Sequence, residues 1–325
     1  MRNAAGSIDI PSEAAGGGTA GGATAHPRRG ATGRPRLVVI AGPTAAGKSA
    51  LALDLALRVG GTIVNADASQ VYADLRILSA RPDAADMARV PHALYGVIDG
   101  AQACSAADWA GLARGAIGVA HAAGRLPILV GGSGLYLRTL LDGIAPVPAI
   151  DEAVRATVRA LAPADARAAL AAEDPAAAAR IVPGDRQRIA RALEVVRSTG
   201  RTLRDWQAAA SGGLAAEVDL VAQVVDLPRA ALHARLDARL DAMIAAGALD
   251  EVAALAARRL PADAPVMKAL GVPPLLAALA GTTTLEAAIA TTRADTRHYA
   301  KRQQTWFRNQ TPDWPRPPPG TPIMG

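Results

Sequence analysis

One octet constrains this chain more than any other stretch. Residues 42–49 read G-P-T-A-A-G-K-S, directly after the apolar run Leu37-Val38-Val39-Ile40-Ala41 and opening a helical pattern at Lys48-Ser49-Ala50-Leu51. A G-x-x-x-x-G-K-[ST] pattern between a strand and a helix reads as a phosphate-binding loop. Its glycines let the backbone curl until successive N–H groups point inward, and the next helix start adds partial positive charge. Gly42, Pro43, Thr44, Ala45, Ala46 and Gly47 form the curl, Lys48 reaches phosphate oxygens, and the Ser49 hydroxyl can hold Mg2+. The loop calls for a phosphate or diphosphate without saying which phosphorylated molecule carries it.

Bulk properties narrow the class. At 325 residues the chain has room for one domain with an insertion, or for two. Aromatic residues make up only 3% while Ala supplies much of the apolar half, a balance that favours helices. No apolar run approaches the roughly 20 residues that cross a bilayer, so no membrane role is expected and the cytoplasm is the expected compartment. The single cysteine, Cys104, excludes an internal disulfide framework and a Cys-based zinc site. The formal charge of +6 invites a nucleic-acid reading, but residues 1–36 alone contribute a net +3. Distribution says more. Residues 293–316 hold Arg293, Arg297, Lys301, Arg302, Arg308 and Arg316 against Asp295 and Asp313, an excess able to attract a polyanion or to form one solvated helix face.

Along the chain, residues 1–33 are Gly/Ala-rich and expected to be disordered, and residues 311–325 form a Pro-rich tail expected to run extended. Between them strand and helix patterns alternate: Thr62-Ile63-Val64-Asn65-Ala66, a helix from Ser105 with Asp108 as its capping-box partner, Leu126 to Val130, and Val218 to Leu227. That alternation predicts an α/β fold, a mostly parallel sheet with helices on both faces and a ligand cleft at the carboxyl ends of the strands. Residues 146–213 break the alternation with Ala-rich helical segments punctuated by Pro163, Pro175, Pro183 and Gly200, and with no convincing strand. They read as an all-helical subdomain inserted into a core made of residues 34–145 and 214–310. Long helices are expected near 228–246 and 285–309.

Several polar residues fall at the cleft end of this pattern. Asp67 follows the second strand, where a carboxylate can ligate an ion, act as a general base, or close a turn. Ser133 follows Gly131-Gly132 at another strand-to-helix turn and can cap the helix, bind a diphosphate, or do both. Leu232, Leu236, Leu240 and Met243 form an apolar core stripe at helical spacing. Arg235 and Arg239 each precede a stripe leucine, placed either to reach solvent or to grip a diphosphate. In D-R-Q-R-I-A-R-A-L-E at 185–194, Gln187 and Arg191 share a face, and Arg188 lies three positions from Arg191. Gln and Arg suit base edges and phosphates, and a solvated helix satisfied by Asp185 and Glu194 is the alternative.

Taken together, these segments resemble the tRNA dimethylallyltransferase family (isopentenyl-diphosphate:tRNA transferases). The motifs are G-P-T-A-A-G-K-S at 42–49, N-A-D-A-S-Q-V-Y at 65–72, V-G-G-S-G-L-Y at 130–136, D-R-Q-R-I-A-R-A-L-E at 185–194, H-A-R-L-D-A-R at 233–239 and R-H-Y-A-K-R-Q-Q-T-W-F-R at 297–308. They stand in the family's order over roughly residues 36 to 310. The resemblance implies a P-loop core that transfers a dimethylallyl group from its diphosphate to the exocyclic amine of the adenosine just 3′ of the anticodon. It implies that the loop, Lys48, Arg235 and Ser49-bound Mg2+ hold the diphosphate, that Asp67 is the general base, and that Ser133 and Arg239 steady the leaving group. Asp67, Ala68, Ser69, Gln70, Ser133, Arg155, Gln187, Arg188, Ile189, Ala190 and Arg191 match tRNA contacts, with the helical insertion gripping the anticodon stem-loop. A monomer is expected.

The chain departs from the family pattern at a few positions. Ala68 stands for a usual Ser, Ser133 for Thr, Leu78-Ser79-Ala80-Arg81-Pro82 for G-T-A-K-P, and Gly271-Val272 for Gly-Tyr. None of these removes a reacting group. The alternatives from other classes are a prenyltransferase acting on free adenine nucleotides, a small-molecule P-loop kinase, and a non-catalytic RNA-binding module with a relic loop. The insertion disfavours the first, the lack of an Arg-rich lid the second, and the intact Lys48, Ser49 and Asp67 the third.

Overall fold

Residues 36–41, 61–65 and 126–131 are short, mostly apolar stretches that adjoin or contain glycine, and they assemble as such sequences should when both faces are buried. A computed structural model describes residue 30, residues 32–318 and residue 321. Most of the segment expected to be disordered, 1–33, therefore lies outside the described residues. The strands are β1 (Arg36–Ala41), β2 (Gly61–Asn65), β3 (His92–Ala93), β4 (Leu126–Gly131), β5 (Gly143–Ile144), β6 (Ser211–Gly212) and β7 (Asp219–Val224). Helices α1 (Lys48–Val59), α2 (Ala84–Arg89), α3 (Ala106–Ala122) and α4 (Gly134–Asp142) precede the insertion. Within it lie α5 (Glu152–Ala160), α6 (Pro163–Glu173), α7 (Pro175–Arg180), α8 (Arg186–Thr199) and α9 (Leu203–Ala208). The chain ends with α10 (Arg229–Ala245), α11 (Ala248–Ala257), α12 (Val272–Leu279) and α13 (Leu285–Gln310).

Five strands form one parallel sheet in the order β3-β2-β4-β1-β7, with Val38 opposite Ile128 and Val221. Because side chains alternate across a strand, each one feeds two cores. Leu37, Val39, Ala41 and Leu129 pack with Trp109 and Ile117 of α3 and Leu137 and Leu140 of α4. Val38, Ile40, Ile128 and Val130 pack with Ala52, Leu55 and Ala56 of α1. Each fully buried Leu, Ile or Val contributes about 1.5–3 kcal/mol, so the helices that flank the strands in sequence hold both faces of the sheet. The α/β expectation stands, with helices on both faces. The predicted capping box also forms: the Ser105 hydroxyl accepts from the Asp108 N–H at 3.1 Å and the Asp108 carboxylate from the Ser105 N–H at 2.9 Å.

The insertion has a core of its own, built on Val158, Leu170, Ile189 and Leu193 and separate from the clusters of the sheet domain. One feature differs from expectation. Residues 146–213 were expected to lack strands, yet Ser211–Gly212 is one, paired antiparallel with Gly143–Ile144. This two-residue ladder closes the neck between the insertion and the core. Gly143 sits at φ +94, with the Ser211 carbonyl oxygen 2.2 Å from where a Cβ would lie, so a side chain there would part the two strands.

The Pro-rich tail also differs from an extended arm in its described part. It turns at once, with the Trp314 N–H donating to the Thr311 carbonyl at 3.2 Å. Arg316 donates to the carbonyls of Phe307 and Trp314, both at 2.9 Å, and Pro315 accepts from the Val224 N–H at the edge of β7. Among the described residues no helix is long and apolar enough to cross a membrane.

Candidate active site

The phosphate loop takes the shape its sequence requires. Gly42 (φ +142), Ala45 (φ +63) and Gly47 (φ +103) lie in left-handed backbone regions, and Gly47 ends the curl as the residue before α1. A Cβ at Gly42 would lie 2.1 Å from the Val225 carbonyl oxygen, so only glycine lets β1 and the segment after β7 approach this closely. The first amides of α1 and its dipole face the concavity, the arrangement that attracts a phosphate. The Lys48 ammonium donates to the Pro43 carbonyl at 2.7 Å. Burial pulls its pKa down to about 8, opposed by the Asp67 carboxylate. Ser49 is exposed, and with Lys48, Asp67, Gln70, Arg235 and Arg239 it lines a single cleft.

Both arginines of α10 lean into that cleft. Arg239 donates to the Thr44 hydroxyl at 2.6 Å, and Arg235 approaches the Ala46 carbonyl at 3.5 Å. Burial lowers the Arg239 pKa and Asp67 opposes the shift, so a guanidinium and a carboxylate face the same desolvated space. Of the stripe on α10, Leu232, Leu236 and Leu240 are buried. Met243, expected in the core, is half-buried and with Leu236, Leu240, Leu75, Leu78 and Leu270 forms the apolar wall of a compartment whose lining also includes Ser69, Ser79, Thr292 and Thr296. Thr44, Asp67 and Arg239 border both this compartment and the phosphate cleft, so an apolar chain can lie in one while its diphosphate lies in the other.

Asp67 is held by its neighbours. Asn65, fully buried at the end of β2, accepts from the Asp67 N–H at 2.8 Å and donates to the Asp67 and Leu94 carbonyls, each at 3.0 Å. The Asp67 carboxylate accepts from the Ser69 N–H at 2.9 Å. Ser133 begins α4 but does not cap it. Its hydroxyl accepts instead from the Ala68 N–H at 2.8 Å, linking the turn after β4 to the turn after β2. The capping reading is corrected accordingly: the hydroxyl faces the adjacent strand end, which offers an unpaired amide, rather than its own helix. Gln70 spends its amide nitrogen on the Ser79 and Ala80 carbonyls at 2.9 and 3.0 Å.

The family model for IPP transferase matches residues 70–310, and that for isopentenyl transferase matches residues 35–95. The chain belongs to the IPP transferase family. It is 61% identical to a tRNA dimethylallyltransferase of Sphingopyxis alaskensis, over 86% of this chain and 92% of the relative. It is 55% identical to one of Rhodospirillum rubrum, over 86% of each. Among solved structures it resembles the tRNA isopentenylpyrophosphate transferase of Bacillus halodurans, at 35% identity and TM-score 0.61 over 85% of this chain and 87% of that one. A eukaryotic dimethylallyltransferase acting on tRNA matches at 27% identity and TM-score 0.72, over 84% of this chain and 69% of that one.

In this member of the IPP transferase family the remaining candidates stand in the helical insertion, and none lines the cleft. Gln187, Arg188 and Arg191 are exposed on the first turns of α8, whose start is capped by Asp185 accepting from the Arg188 N–H at 3.1 Å. Arg188 pairs with Asp185 at 3.3 Å and Arg191 with the buried Glu194 at 3.9 Å, both loose enough to yield to a phosphate. The Arg155 Nε is buried without a partner. Ile189 is 2% exposed within the insertion core, so its side chain holds α8 in place and only its backbone is left to meet a ligand. Ala190 packs against the same core.

Two residues of α13 escaped residue-by-residue reading. Tyr299 lines the apolar compartment, and burial with the nearby Asp67 carboxylate pushes its phenol upward while the Ser133 hydroxyl opposes. Gln303 is buried between the phosphate loop and Gly132. Both fall inside the motif at 297–308, on the long helix expected near 285–309. The positive excess of α13 is partly consumed by Arg293 pairing with Asp241 and Arg297 with Asp237 of α10. Lys301 and Arg308 line a separate basic cleft with Arg229 and His233.

Proposed function

We propose that this protein transfers a dimethylallyl group from dimethylallyl diphosphate to the exocyclic amine of the adenosine 3′-adjacent to the anticodon in tRNA, releasing diphosphate. The observation that carries this reading is the shared border of the two compartments. Thr44, Asp67 and Arg239 stand where a phosphate cleft meets an apolar one, which suits a substrate that is a diphosphate at one end and a hydrocarbon at the other. The family match and the 61% identical tRNA dimethylallyltransferase support the same substrates and disfavour the kinase and free-nucleotide alternatives.

The chemistry follows from the side chains. The allylic C–O bond breaks with its electron pair leaving on the diphosphate, and the N–C bond forms at the adenine amine. Negative charge therefore grows on the leaving group, where Lys48, Arg239, Arg235 and the loop amides stabilise it in a desolvated setting. The amine is a weak nucleophile until it loses a proton, and the Asp67 carboxylate accepts that proton as the bond forms. Ser133 holds the Ala68 amide and so keeps the Asp67 turn in register with the adenosine entrance. A base must leave its stack to reach this pocket, which favours a loop substrate. Gln187, Arg188, Arg191 and Arg155 on the insertion supply donors for the anticodon stem-loop.

Magnesium fits this donor set. Among the described residues no three His, Cys, Asp or Glu cluster as a protein-only cage, while the exposed Ser49 hydroxyl opens onto the phosphate cleft. A sparse protein shell of this kind suits an ion that keeps its water and takes phosphate oxygens. Held by Ser49 and the diphosphate, it would offset charge on the leaving group. We read the enzyme as a monomer that binds its own tRNA and acts in the cytoplasm, the compartment in keeping with a tRNA substrate. Incubating purified protein with Mg2+, dimethylallyl diphosphate and unmodified tRNA, followed by nucleoside mass analysis, tests the whole reading. A prenyl-sized mass gain on the anticodon-loop adenosine is expected; phosphate transfer from ATP to a metabolite with no RNA product would overturn it.

A further inference from the structure

α13 turns one face toward the cleft. Thr292, Thr296 and Tyr299 line the apolar compartment, and Gln303 follows on the same face four residues after Tyr299. Gln303 is 5% exposed, and both ends of its amide are engaged. The side-chain carbonyl accepts from the Thr44 N–H at 2.8 Å, and the amide nitrogen donates to the Gly132 carbonyl at 2.9 Å. Gly132 comes so near that a Cβ there would lie 2.1 Å from that nitrogen. Only an amide tip offers one acceptor and two donors in this space, so the two contacts also fix its orientation.

What the two contacts join matters more than the contacts themselves. Thr44 carries the hydroxyl that receives the Arg239 guanidinium, on the diphosphate side. Gly132 precedes Ser133, whose hydroxyl holds the Ala68 amide beside Asp67, on the acceptor side. The phosphate loop and the turn after β4 leave neighbouring parallel strands whose ladder ends at Ala41 opposite Gly131, directly before Gly132 but three residues before Thr44, so the ladder alone does not fix the loop at Thr44. We propose that Gln303 is a positioning residue for group transfer. It holds the diphosphate-gripping loop and the Gly132–Ser133 turn at one separation, so that leaving group and nucleophile meet in line. The proposal rests on reading this cleft as the prenyl-transfer site.

The test uses two variants and a double-mutant cycle. Gln303→Met keeps the volume and loses both hydrogen bonds; Gln303→Ala also removes the packing. In each folded variant kcat is expected to fall about 100-fold, the scale of a misplacement near 1 Å, while tRNA affinity is retained. Combined with Arg239→Ala, the loss is expected to be smaller than the product of the separate losses, because Gln303 acts through the loop that seats Arg239. Losses that multiply fully, or a kcat that follows the unfolded fraction in thermal melts, overturn the proposal while leaving the cleft reading intact. A wild-type protein that forms no prenylated nucleoside overturns both.

Discussion

The Arg239 guanidinium donates to the Thr44 hydroxyl at 2.6 Å, joining residues 195 positions apart. The helix that bears Arg239 is thereby seated on the phosphate loop, with the cation facing the space where a diphosphate would sit. Arg239→Lys keeps the charge and loses the planar fork, so the second donor has no replacement. A fall in kcat/KM of roughly 10- to 100-fold is expected from steady-state assays, in line with losing one charge-assisted hydrogen bond to the leaving group.

Asp67 separates chemistry from binding. Asp67→Asn preserves the turn that Asn65 braces but removes the proton acceptor, so kcat is expected to fall about 10²- to 10⁴-fold. Filter binding with unmodified tRNA should show nearly unchanged affinity. Equal losses of turnover and affinity would remove the base role.

Neighbouring residues on α8 have opposite fates. Arg188 is exposed and paired only with Asp185, so Arg188→Ala should weaken tRNA binding and reduce the log–log salt slope by about one unit. Ile189→Ala instead opens a cavity in the insertion core and should cost about 2–5 kcal/mol of stability there. Its salt slope should remain that of the parent, measured at a temperature where the insertion stays folded.

Ser133 tests the link between the two strand ends. Ser133→Ala leaves the part-buried Ala68 N–H without its acceptor, a loss of about 0.5–1.5 kcal/mol. Ser133→Thr keeps the hydroxyl and is expected to retain activity, with the added methyl restricting its rotamer. Thermal melts and prenylation assays on the pair separate the hydroxyl from the shape of the side chain. Inactivity of the Thr variant would contradict the assignment.

Much of the fold was legible because its determinants are local. The phosphate loop carries its own glycines, strand and helix within about a dozen residues, and the Ser105–Asp108 capping box declares itself by spacing alone. The helical character of residues 146–213 was plain from composition, whereas the pairing of Ser211–Gly212 with Gly143–Ile144 was not. A two-residue strand has no periodicity to read, and its partner lies on the far side of the insertion. Likewise the pattern around Arg188 marks a polar turn, but only packing shows that Ile189 points inward.

By itself the sequence determined that residues 42–49 curl between a strand and a helix of a parallel sheet, and its motifs in order named the family. Tertiary structure decided which groups share the site. Thr44 and Gln303 are 259 positions apart, Gly132 and Gln303 171, and Ala68 and Ser133 65. A hydrogen bond acts over about 3 Å of space and is indifferent to distance along the chain. Spacing in sequence registers only contacts within a helical turn or across a strand, so Gln303, Asn65 and Tyr299 became visible only once the folded cores had placed them.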